Sequence, residues 1–509
     1  MVGVMASTTS PGPSHLTDRD LGWLRYLYRK ATTPDSWDRD SHPHEHWDTI
    51  SDPPMLCCHR FDLIDSSYAV AMMADITPAW REVYGRILDE LIFRHTGWWA
   101  AEDWLTQIGH DPKRGEYRDL YRLLIPEQFW GNYDVPGWTA NGIEPWGLQM
   151  DPIGATGNLF FKGFFLVMLG LHLRTTGDER WNQPFEMIRD GENTFTWFHS
   201  AIAEHLHRQW TEAPAGCHCE NTKVWPFCLA GAGLGLKLHD LLRGTDYHDV
   251  FRHWWHDTCR IKYLHLDADE LPTTVTFYYD PVLDVHHELP AMLGWIPSIY
   301  LAPQVPDEAT RLFRAGQVQM GMWENAGAIS AAPNRFSALN LWLAKEWALH
   351  WCIEPLAAAI DESCEPTWDK NRGEFTWRFQ LDEAHPRGQY NGTMAAAQVA
   401  SEGSWWRLAN VGPGNRFREP TITGVDFPAV ALSQARWDPT ASSLTLTPVA
   451  IDPTHTRTTL RVTTIGDPSR WSAHGPLTHE VVVRPVGEDI EVEMPIRGEP
   501  VVLRGPERR

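Results

Sequence analysis

Residues 157–175 read GNLFFKGFFLVMLGLHLRT, which predicts a very apolar helix. The TGD that follows at 176–178 stops this helix, because glycine readily adopts the left-handed conformation of a C-terminal cap. Further helices are predicted along the chain, at 18–30, 78–95, 225–242 and 337–352. Helices and loops alternate from about residue 59 to 400, which suggests an all-α toroid with a cavity at its axis.

The C-terminal part of the chain shows a different pattern. Between 403 and 503, short segments of alternating polar and apolar residues, such as 443–446 and 490–494, are separated by turn signals. This pattern predicts a small antiparallel β module. We therefore expect three parts, namely an N-terminal extension (1–52), a helical catalytic domain (53–400) and a C-terminal β module (401–509).

The amino-acid composition limits the classes of partner that we expect this protein to bind. The chain has 509 residues, of which 43% are hydrophobic and 22% charged, with a formal net charge of −22. So acidic a chain offers little to neutralise phosphates, so we expect neither a nucleic acid nor an anionic membrane as partner. The 27 Trp residues fit either aromatic-lined cavities for sugars or hydrocarbons, or bulky filler between many helices.

The N-terminal residues give no targeting signal. Residues 1–15 have neither the basic start nor the apolar core of a secretion signal. No run approaches the ~20 apolar residues that a membrane span needs. We therefore expect a cytoplasmic protein in which the eight cysteines are thiols.

Reactive groups concentrate at 217–228, which reads CHCENTKVWPFC. A segment that is both apolar and rich in titratable groups suggests acid/base chemistry in an apolar cavity, where burial raises the pKa of thiol and carboxyl groups. Two other interpretations stay open, namely that Cys219 and Cys228 are inert buried thiols or that they form a disulfide. The first three residues are too close together for an ordinary zinc site, so we expect no metal.

Three segments of the chain resemble the linalool dehydratase/isomerase family, and they occur in that family's order. They are RFDLIDSSYA at 60–69 with TPAWR at 77–81, the helix at 157–178, and Cys219-Glu220-Asn221 with Cys228 nine positions after Cys219. The resemblance implies an (α/α)6 barrel with its site at the mouth. It also implies an acid/base carboxylate at Asp62, a phenol at Tyr68 and thiols at Cys219 and Cys228. We expect no cofactor.

The chain departs from this family at one position. Where the family has a His after the Gly of its second segment, this chain has Phe164. The imidazole that helps to handle the substrate hydroxyl is then missing, and the pocket becomes more apolar. Such a pocket would suit a longer or less hydroxylated substrate, or a cyclisation. The HHE at 286–288 is either a solvated loop or, through His287, a replacement for that imidazole.

Dehydration of an allylic or tertiary alcohol needs an acid for the leaving oxygen and a base for a proton on a neighbouring carbon. Asp62 and Tyr68 are six positions apart, so on one continuous helix they would point roughly 120° apart. Asp65 and Tyr68, three positions apart, would be neighbours. The resemblance favours Asp62 as the acid, and Asp65 remains its rival.

Aromatic side chains stabilise positive charge on carbon by about 0.5–2 kcal/mol each, as in cation–π pairs. They make up most of the predicted substrate-binding set. That set is Asp65, Phe161, Phe164, Phe165, Glu220, Trp225, Phe227, Phe277, Tyr278, Tyr279 and His287.

The sequence therefore predicts a cofactor-independent lyase or isomerase. Its substrate would be a small, apolar, isoprenoid-like molecule, and the reaction a dehydration, a double-bond isomerisation or a protonation-initiated cyclisation. One alternative is a carbohydrate-active (α/α)6 enzyme, a glycoside hydrolase or sugar epimerase, that uses paired acids such as Glu102/Asp103 or Asp361/Glu362. A second alternative is a non-catalytic binder of apolar ligands. A homo-oligomer is compatible with all three.

Overall fold

The computed structural model describes a large part of the chain. The described residues are 13–38, 43–44, 46–47, 59–98, 100, 143–144, 147–148, 151–188, 193–219, 223–281, 284–379, 388–463 and 466–506. Within them the protein is mainly helical, with several antiparallel sheets.

Fourteen α-helices lie in the described ranges. The first seven are α1 (Asp18–Thr32), α2 (His59–Ile76), α3 (Arg81–His95), α4 (Leu159–Thr176), α5 (His199–Glu212), α6 (Pro226–Arg243) and α7 (Asp249–Trp254), which a π-helical segment (Trp255–Tyr263) continues. The others are α8 (Ala291–Gly294), α9 (Ser298–Leu301), α10 (Pro306–Gln319), α11 (Arg335–Glu346), α12 (His350–Cys364), α13 (Gly388–Val399) and α14 (Ser404–Asn410).

Local sequence signals explain several of these helix ends. Thr17 and Asp20 form a capping box at the start of α1, in which each side chain accepts a hydrogen bond from the other residue's backbone N–H. α4 and α6 end at Gly177 and Gly244, both in the left-handed conformation with φ of 71° and 73°. Pro226 stands at the start of α6, where no helical N–H is needed.

Four of the predicted helices are confirmed with small shifts of their ends, as α1, α3, α4 and α6. The prediction of one helix over 337–352 is wrong. The chain forms α11 and α12 there, and they are separated at Trp347–Leu349, where Ala348 adopts a left-handed φ of 50°.

α4 and α6 pack closely because a glycine on each helix leaves room for a side chain of the other. Gly231 of α6 lies under the ring of Phe164, and Gly163 of α4 lies against Ala232. α4 is long and apolar enough to cross a membrane by length and composition alone. Here nearly all of it is buried inside the protein, where it contacts α2, α3, α5 and α6. It therefore forms the centre of the helical core.

Small sheets interrupt the helices. Three of the described sheets there have two strands each: β1 (Ile143–Glu144) with β2 (Gly147–Leu148), β3 (Phe185–Ile188) with β4 (Thr194–Trp197), and β8 (Pro366–Asp369) with β9 (Glu374–Trp377). A fourth sheet has three strands, in which β6 (Pro272–Asp280) lies between β5 (Leu264–Leu266) and β7 (Val285–Pro290). All of these pairs are antiparallel.

The C-terminal residues form two four-stranded antiparallel sheets, as the alternating sequence predicts. One has the order β10 (Thr421–Thr423), β13 (Arg457–Thr463), β16 (Asp489–Pro495), β15 (Val482–Val486). The other has the order β11 (Val430–Asp438), β12 (Ser443–Ala450), β17 (Val501–Arg504), β14 (Ser472–His474). Before these strands, Ser404–Asn410 is helical and packs against α2 and α6, so the β structure begins later than residue 403.

Gly231→Ala is expected to lower the free energy of unfolding by about 1–3 kcal/mol, because overpacking a dense core displaces its neighbours. A Cβ at this position would lie 2.1 Å from Cζ of Phe164. Gly327→Ala is the control, since the nearest atom to its added Cβ is 3.8 Å away. Urea unfolding of both variants checks the prediction, and an equal effect at the two sites would contradict it.

Candidate active site

Helix α2 carries three of the predicted site residues, Asp62, Asp65 and Tyr68. α2 runs without interruption from His59 to Ile76, so Asp62 and Tyr68 lie on different sides of it, whereas Asp65 and Tyr68 are neighbours. All three side chains are buried. A buried carboxylate is costly unless a cation or hydrogen-bond donors compensate it, so the partners of each one matter.

Asp62 is compensated by a lysine from the N-terminal helix. Nζ of Lys30, in the last turn of α1, donates a hydrogen bond to Oδ1 of Asp62, and both side chains are fully buried. Ser66 Oγ accepts a hydrogen bond from Lys30 Nζ at 3.3 Å and donates one to Asp62 Oδ1 at 3.3 Å. The Lys30 ammonium also lies 4.6 Å from the centre of the Trp47 ring, in a cation–π contact.

Asp65 is compensated by residues from two other helices. Arg335 Nη2, on α11, donates to Asp65 Oδ1 at 2.9 Å. From α13, Gln389 Nε2 and Thr393 Oγ1 each donate to Asp65 Oδ2 at 3.1 Å. Burial raises the pKa of Asp65, and the charge of Arg335 opposes this effect. Asp65 therefore joins α2, α11 and α13 in one polar network.

Tyr68 belongs to the same network. Its hydroxyl donates to the hydroxyl of Tyr300, on α9, at 3.2 Å, and Arg335 hydrogen-bonds Tyr300 as well. Burial raises the pKa of both phenols, so each keeps its proton at neutral pH. The rings of Trp342 and Trp405 lie 5.6 and 5.1 Å from the Tyr68 ring. A neutral phenol in an aromatic setting can donate a hydrogen bond, but it does not readily become a phenolate.

The two predicted site cysteines lie at the N-terminal ends of two packed helices. Sγ of Cys219 accepts a hydrogen bond from the backbone N–H of Phe160, in the first turn of α4, at 3.2 Å. Such N–H groups have no partner within their own helix. Cys228 lies in the first turn of α6. Both cysteines are buried and are not disulfide-bonded. Burial raises the pKa of the neighbouring Cys217 thiol to about 12.

Five aromatic side chains from α2, α4, α6 and α9 contact one another, and we term them the central ring cluster. Its members are Phe61, Phe160, Phe164, Phe227 and Tyr300. The Phe61 and Phe160 rings are 3.9 Å apart, and the Phe160 and Phe164 rings are stacked at 4.1 Å. Tyr300 meets Phe164 at 4.9 Å and Phe227 at 5.2 Å. Because Phe61 precedes Asp62 and Phe227 precedes Cys228, the cluster connects the α2 residues with the cysteine segment.

The β6–β7 hairpin packs on the cysteine segment. Val224 and Tyr279 exchange two backbone hydrogen bonds of 2.8 Å. The ring of Trp225 lies 4.9 Å from Phe277 and 5.0 Å from Tyr278. His287 stacks on Tyr278 at 4.9 Å. The structure therefore brings this part of the predicted substrate-binding set to the residues between Cys219 and Cys228, and places His287 in a strand rather than in a loop.

Two other predicted residues lie elsewhere. Phe161 and Phe165 face α3, where both rings pack on His95 at 4.3 and 4.5 Å. Glu220 lies outside the described residues. An apolar pocket between α10, α11 and α12 shares no residue with the central ring cluster, and is lined by Phe313, Gln317, Met322, Ile329, Asn340, Ala344, Trp351, Cys352 and Leu356.

Sequence reasoning missed Lys30, Tyr300, Arg335 and Phe160. For Lys30 a signal was available, because it follows Trp23 and Leu27 on the buried stripe of the predicted helix 18–30. A lysine on such a stripe needs a buried anionic partner. Nothing local marks Tyr300 or Arg335, whose partners lie 232 and 270 residues away in sequence.

A further buried carboxyl, that of Glu346, holds the start of α14, which packs against Tyr68. Glu346, at the end of α11, accepts hydrogen bonds of 2.8 Å from the backbone N–H groups of Trp405 and Trp406 at the start of α14. Burial raises the pKa of Glu346 to about 7, and the two N–H groups oppose that shift. Glu346 thus anchors the helix whose Trp405 ring packs on Tyr68.

A comparison with known protein families gives a match to the middle part of the chain, which includes the two cysteines. Residues 127–371, just under half of the chain, match the model of the linalool dehydratase/isomerase family. The matched range holds Phe164, Cys219, Cys228 and Tyr300, whereas Asp62 and Tyr68 precede it. The resemblance inferred from the sequence is confirmed over this range.

Arg335→Met is expected to lower the free energy of unfolding by about 3–5 kcal/mol, because it leaves the buried Asp65 carboxylate without its cation. Arg86→Met on α3 is the matched control. Arg86 is more than half exposed and pairs with Glu90 at 3.1 Å, so its loss is expected to cost less than about 1 kcal/mol. Urea unfolding measures both, and similar losses would contradict the role given to Arg335.

Glu346→Gln is expected to change how stability depends on pH. The pKa of Glu346 is raised in the folded state from an ordinary 4.5 to about 7, so the folded protein binds a proton there that the unfolded chain has lost. Relative to the Gln variant, the wild type should therefore lose stability, on the order of 1–3 kcal/mol, as pH rises from about 4.5 to 7. Unfolding curves across this range check it, and parallel pH dependences would contradict it.

Proposed function

We propose that this chain, which matches the linalool dehydratase/isomerase family over residues 127–371, is a lyase or isomerase that acts on a terpenoid or similar isoprenoid substrate by proton transfer. The family model supports the dehydratase or isomerase class, and the arrangement of the candidate site supports proton transfer. We further propose that the helices form an (α/α)6 toroid with the site at its mouth.

The observation that carries this proposal is the contact between Phe61 and Phe160. Phe61 adjoins Asp62 on α2, and the backbone N–H of Phe160 donates to the Cys219 sulphur at 3.2 Å. The two rings lie 3.9 Å apart, so aromatic contact links the segment that carries Asp62 with the segment that holds Cys219. A carbocation or protonated alkene bound against these rings would be stabilised by the ring faces, by about 0.5–2 kcal/mol for each.

The proposed reaction balances without an added reagent. In a dehydration, one site group gives a proton to the substrate hydroxyl, and the C–O bond breaks to release water. A second site group takes a proton from the neighbouring carbon, and the electrons of that C–H bond form the alkene. The proton then returns from the second group to the first before the next turnover. Asp62 with Tyr68, and Cys219 with Cys228, are the proposed groups.

The presence of Phe164 favours a substrate with little polar surface. Phe164 stands where the related family has a His, and its ring packs against Phe160, Phe227 and Tyr300 in the central ring cluster. This supports an apolar isoprenoid chain, and favours double-bond isomerisation or cyclisation alongside loss of water. Among the paired acids of the carbohydrate alternative, Asp361 forms a surface ion pair with Arg19 at 2.8 Å, while Glu102 and Asp103 lie outside the described residues.

A panel of isoprenoid alcohols and polyenes, run beside oligosaccharides and analysed by mass spectrometry, tests the class of reaction. Loss of water, a shifted double bond or ring closure is expected from the isoprenoids. On the best substrate, Cys219→Ala and Asp62→Asn are each expected to lower kcat by about 10²–10⁴-fold, since positioned acid/base groups contribute that much.

Cys259→Ala is the matched control for this experiment. Cys259 is an equally buried thiol in the π-helical segment, outside the candidate site, so its removal should leave kcat unchanged. Full activity in both site variants would refute the assignment of these residues. Cleavage of oligosaccharides alone would refute the proposed function.

A further inference from the structure

Four aromatic rings follow one another where α5 packs on α6. We term them the histidine column, and its members are His199, His239, Tyr247 and His207. The His199 and His239 rings meet edge-on at 5.2 Å, and Tyr247 stacks on His239 at 5.5 Å. On its other side, Tyr247 stacks on His207 at 4.8 Å. His199 and His207 belong to α5, His239 belongs to α6 and Tyr247 follows α6. The column therefore joins α5 to α6 over about two turns of α5.

His199 is buried where a positive charge would be unfavourable. Its side chain is 2% exposed, and its Nε2 atom has no hydrogen-bond partner among the described residues. It is also the first residue of α5, and the N-terminal end of a helix carries a partial positive charge. Burial, together with the positive charges of His239 and Arg243, lowers the pKa of His199 well below 6.5. The ring is therefore neutral at neutral pH.

His239 is held as a neutral ring by its own contacts. It is buried, and its Nδ1 lies 2.9 Å from Oγ1 of Thr245. Because that hydroxyl donates its proton to Asp240 at 2.6 Å, it can only accept a hydrogen bond from His239. The Nε2 atom lies 3.5 Å from Oγ of Ser200, in the first turn of α5. Burial lowers the pKa of His239 to about 4, although the charge of Asp240 opposes that shift.

The charged groups at the end of α6 have partners of their own. Asp240 accepts hydrogen bonds of 2.8 Å from the backbone N–H groups of Tyr247 and His248, in addition to the Thr245 hydroxyl. Arg243, in the last turn of α6, donates to Glu179 at 2.9 Å. These bonds fix the connection between α6 and α7.

The charged groups on the other helices around the column are also paired. Nε2 of His172, on α4, lies 2.9 Å from Oδ1 of Asp89 on α3. Arg180 pairs with the other oxygen of Asp89 at 2.8 Å. At the far end of the column, His207 lies 3.2 Å from Asp249 of α7. In this part of the described structure each carboxylate already has a partner, so a proton on His199 or His239 would add positive charge to the column without a matching anion.

We propose that the histidine column is an acid-sensitive contact, which holds the start of α5 on α6 while its rings are neutral and releases it when His199 and His239 take up protons. Two imidazolium rings 5.2 Å apart in a buried contact would repel each other. The helix dipole of α5 would add to this repulsion at His199. Neither ring belongs to the candidate site, so the switch does not depend on the proposed reaction.

The pH range of the switch follows from the two states of α5. Histidines of a released segment have the ordinary pKa of 6.5, whereas His239 in the docked state is protonated only near pH 4. Between these values the released segment binds protons that the docked one does not, so a falling pH favours release. Glu346 acts in the opposite direction, because its raised pKa stabilises the folded protein at the acidic end of this range.

Hydrogen exchange of the wild-type protein, measured by mass spectrometry and corrected for the intrinsic pH dependence of exchange, tests the proposal. The equilibrium constant for opening of α5 is expected to rise about tenfold or more from about pH 7.5 to about pH 5, because His239 alone shifts its pKa from 6.5 to about 4. The β11–β12 pair is the internal reference and should change far less. No rise in α5, or an equal rise in both segments, would overturn the proposal.

Substitution by an uncharged side chain attributes the effect to the column. His199→Gln and His239→Gln should each reduce the acid-induced opening of α5, and the double variant should remove most of it. His253→Gln is the matched control, since His253 is an exposed histidine of α7, and it should behave as wild type. A double variant that opens with acid as wild type does would overturn the proposal. If the Gln variants do not fold, the comparison of α5 with β11–β12 in the wild type still decides whether α5 is acid-sensitive.

Discussion

Compensation of two carboxylates buried one turn apart on α2 is the constraint on which the rest of the structure depends. Asp62 needs the ammonium of Lys30, and Asp65 needs the guanidinium of Arg335. A buried carboxylate that loses its cation is strongly unfavourable, so these pairs fix where α1 and α11 lie against α2. The candidate site is therefore built from segments that are far apart in sequence but held together by charge.

Apolar packing, together with the ion pairs, holds the helices around the candidate site. The central ring cluster brings side chains of α2, α4, α6 and α9 into contact, and Gly231 of α6 allows Phe164 to lie close to that helix. Polar groups reach this apolar region at few points, such as the Tyr68 and Tyr300 hydroxyls and the Cys219 sulphur. The proposed reaction, in which protons move between buried groups, suits such a setting.

Local sequence signals made part of the fold and of the candidate site predictable. The apolar run at 159–176, the glycine after it and the alternating C-terminal strands specify their own conformations, so those elements were predicted from sequence. The break at Trp347–Leu349 was not, because Ala and Leu favour helix, and the helix ends through local backbone hydrogen bonds around a left-handed residue that is usually glycine, from Leu349 N–H to the Ala344 carbonyl and from Ala348 N–H to the Lys345 carbonyl. The cysteines could be identified from their motif, whereas Arg335 and Tyr300 could not, since their partners come together only in the folded chain.

A crystal structure with an unreactive isoprenoid alcohol analogue tests the central claim most directly. The account predicts that the ligand lies against the central ring cluster, within reach of Asp62 or Tyr68 and of the sulphur of Cys219 or Cys228. A ligand bound elsewhere, or one separated by protein from both sulphurs and from Asp62, would contradict it.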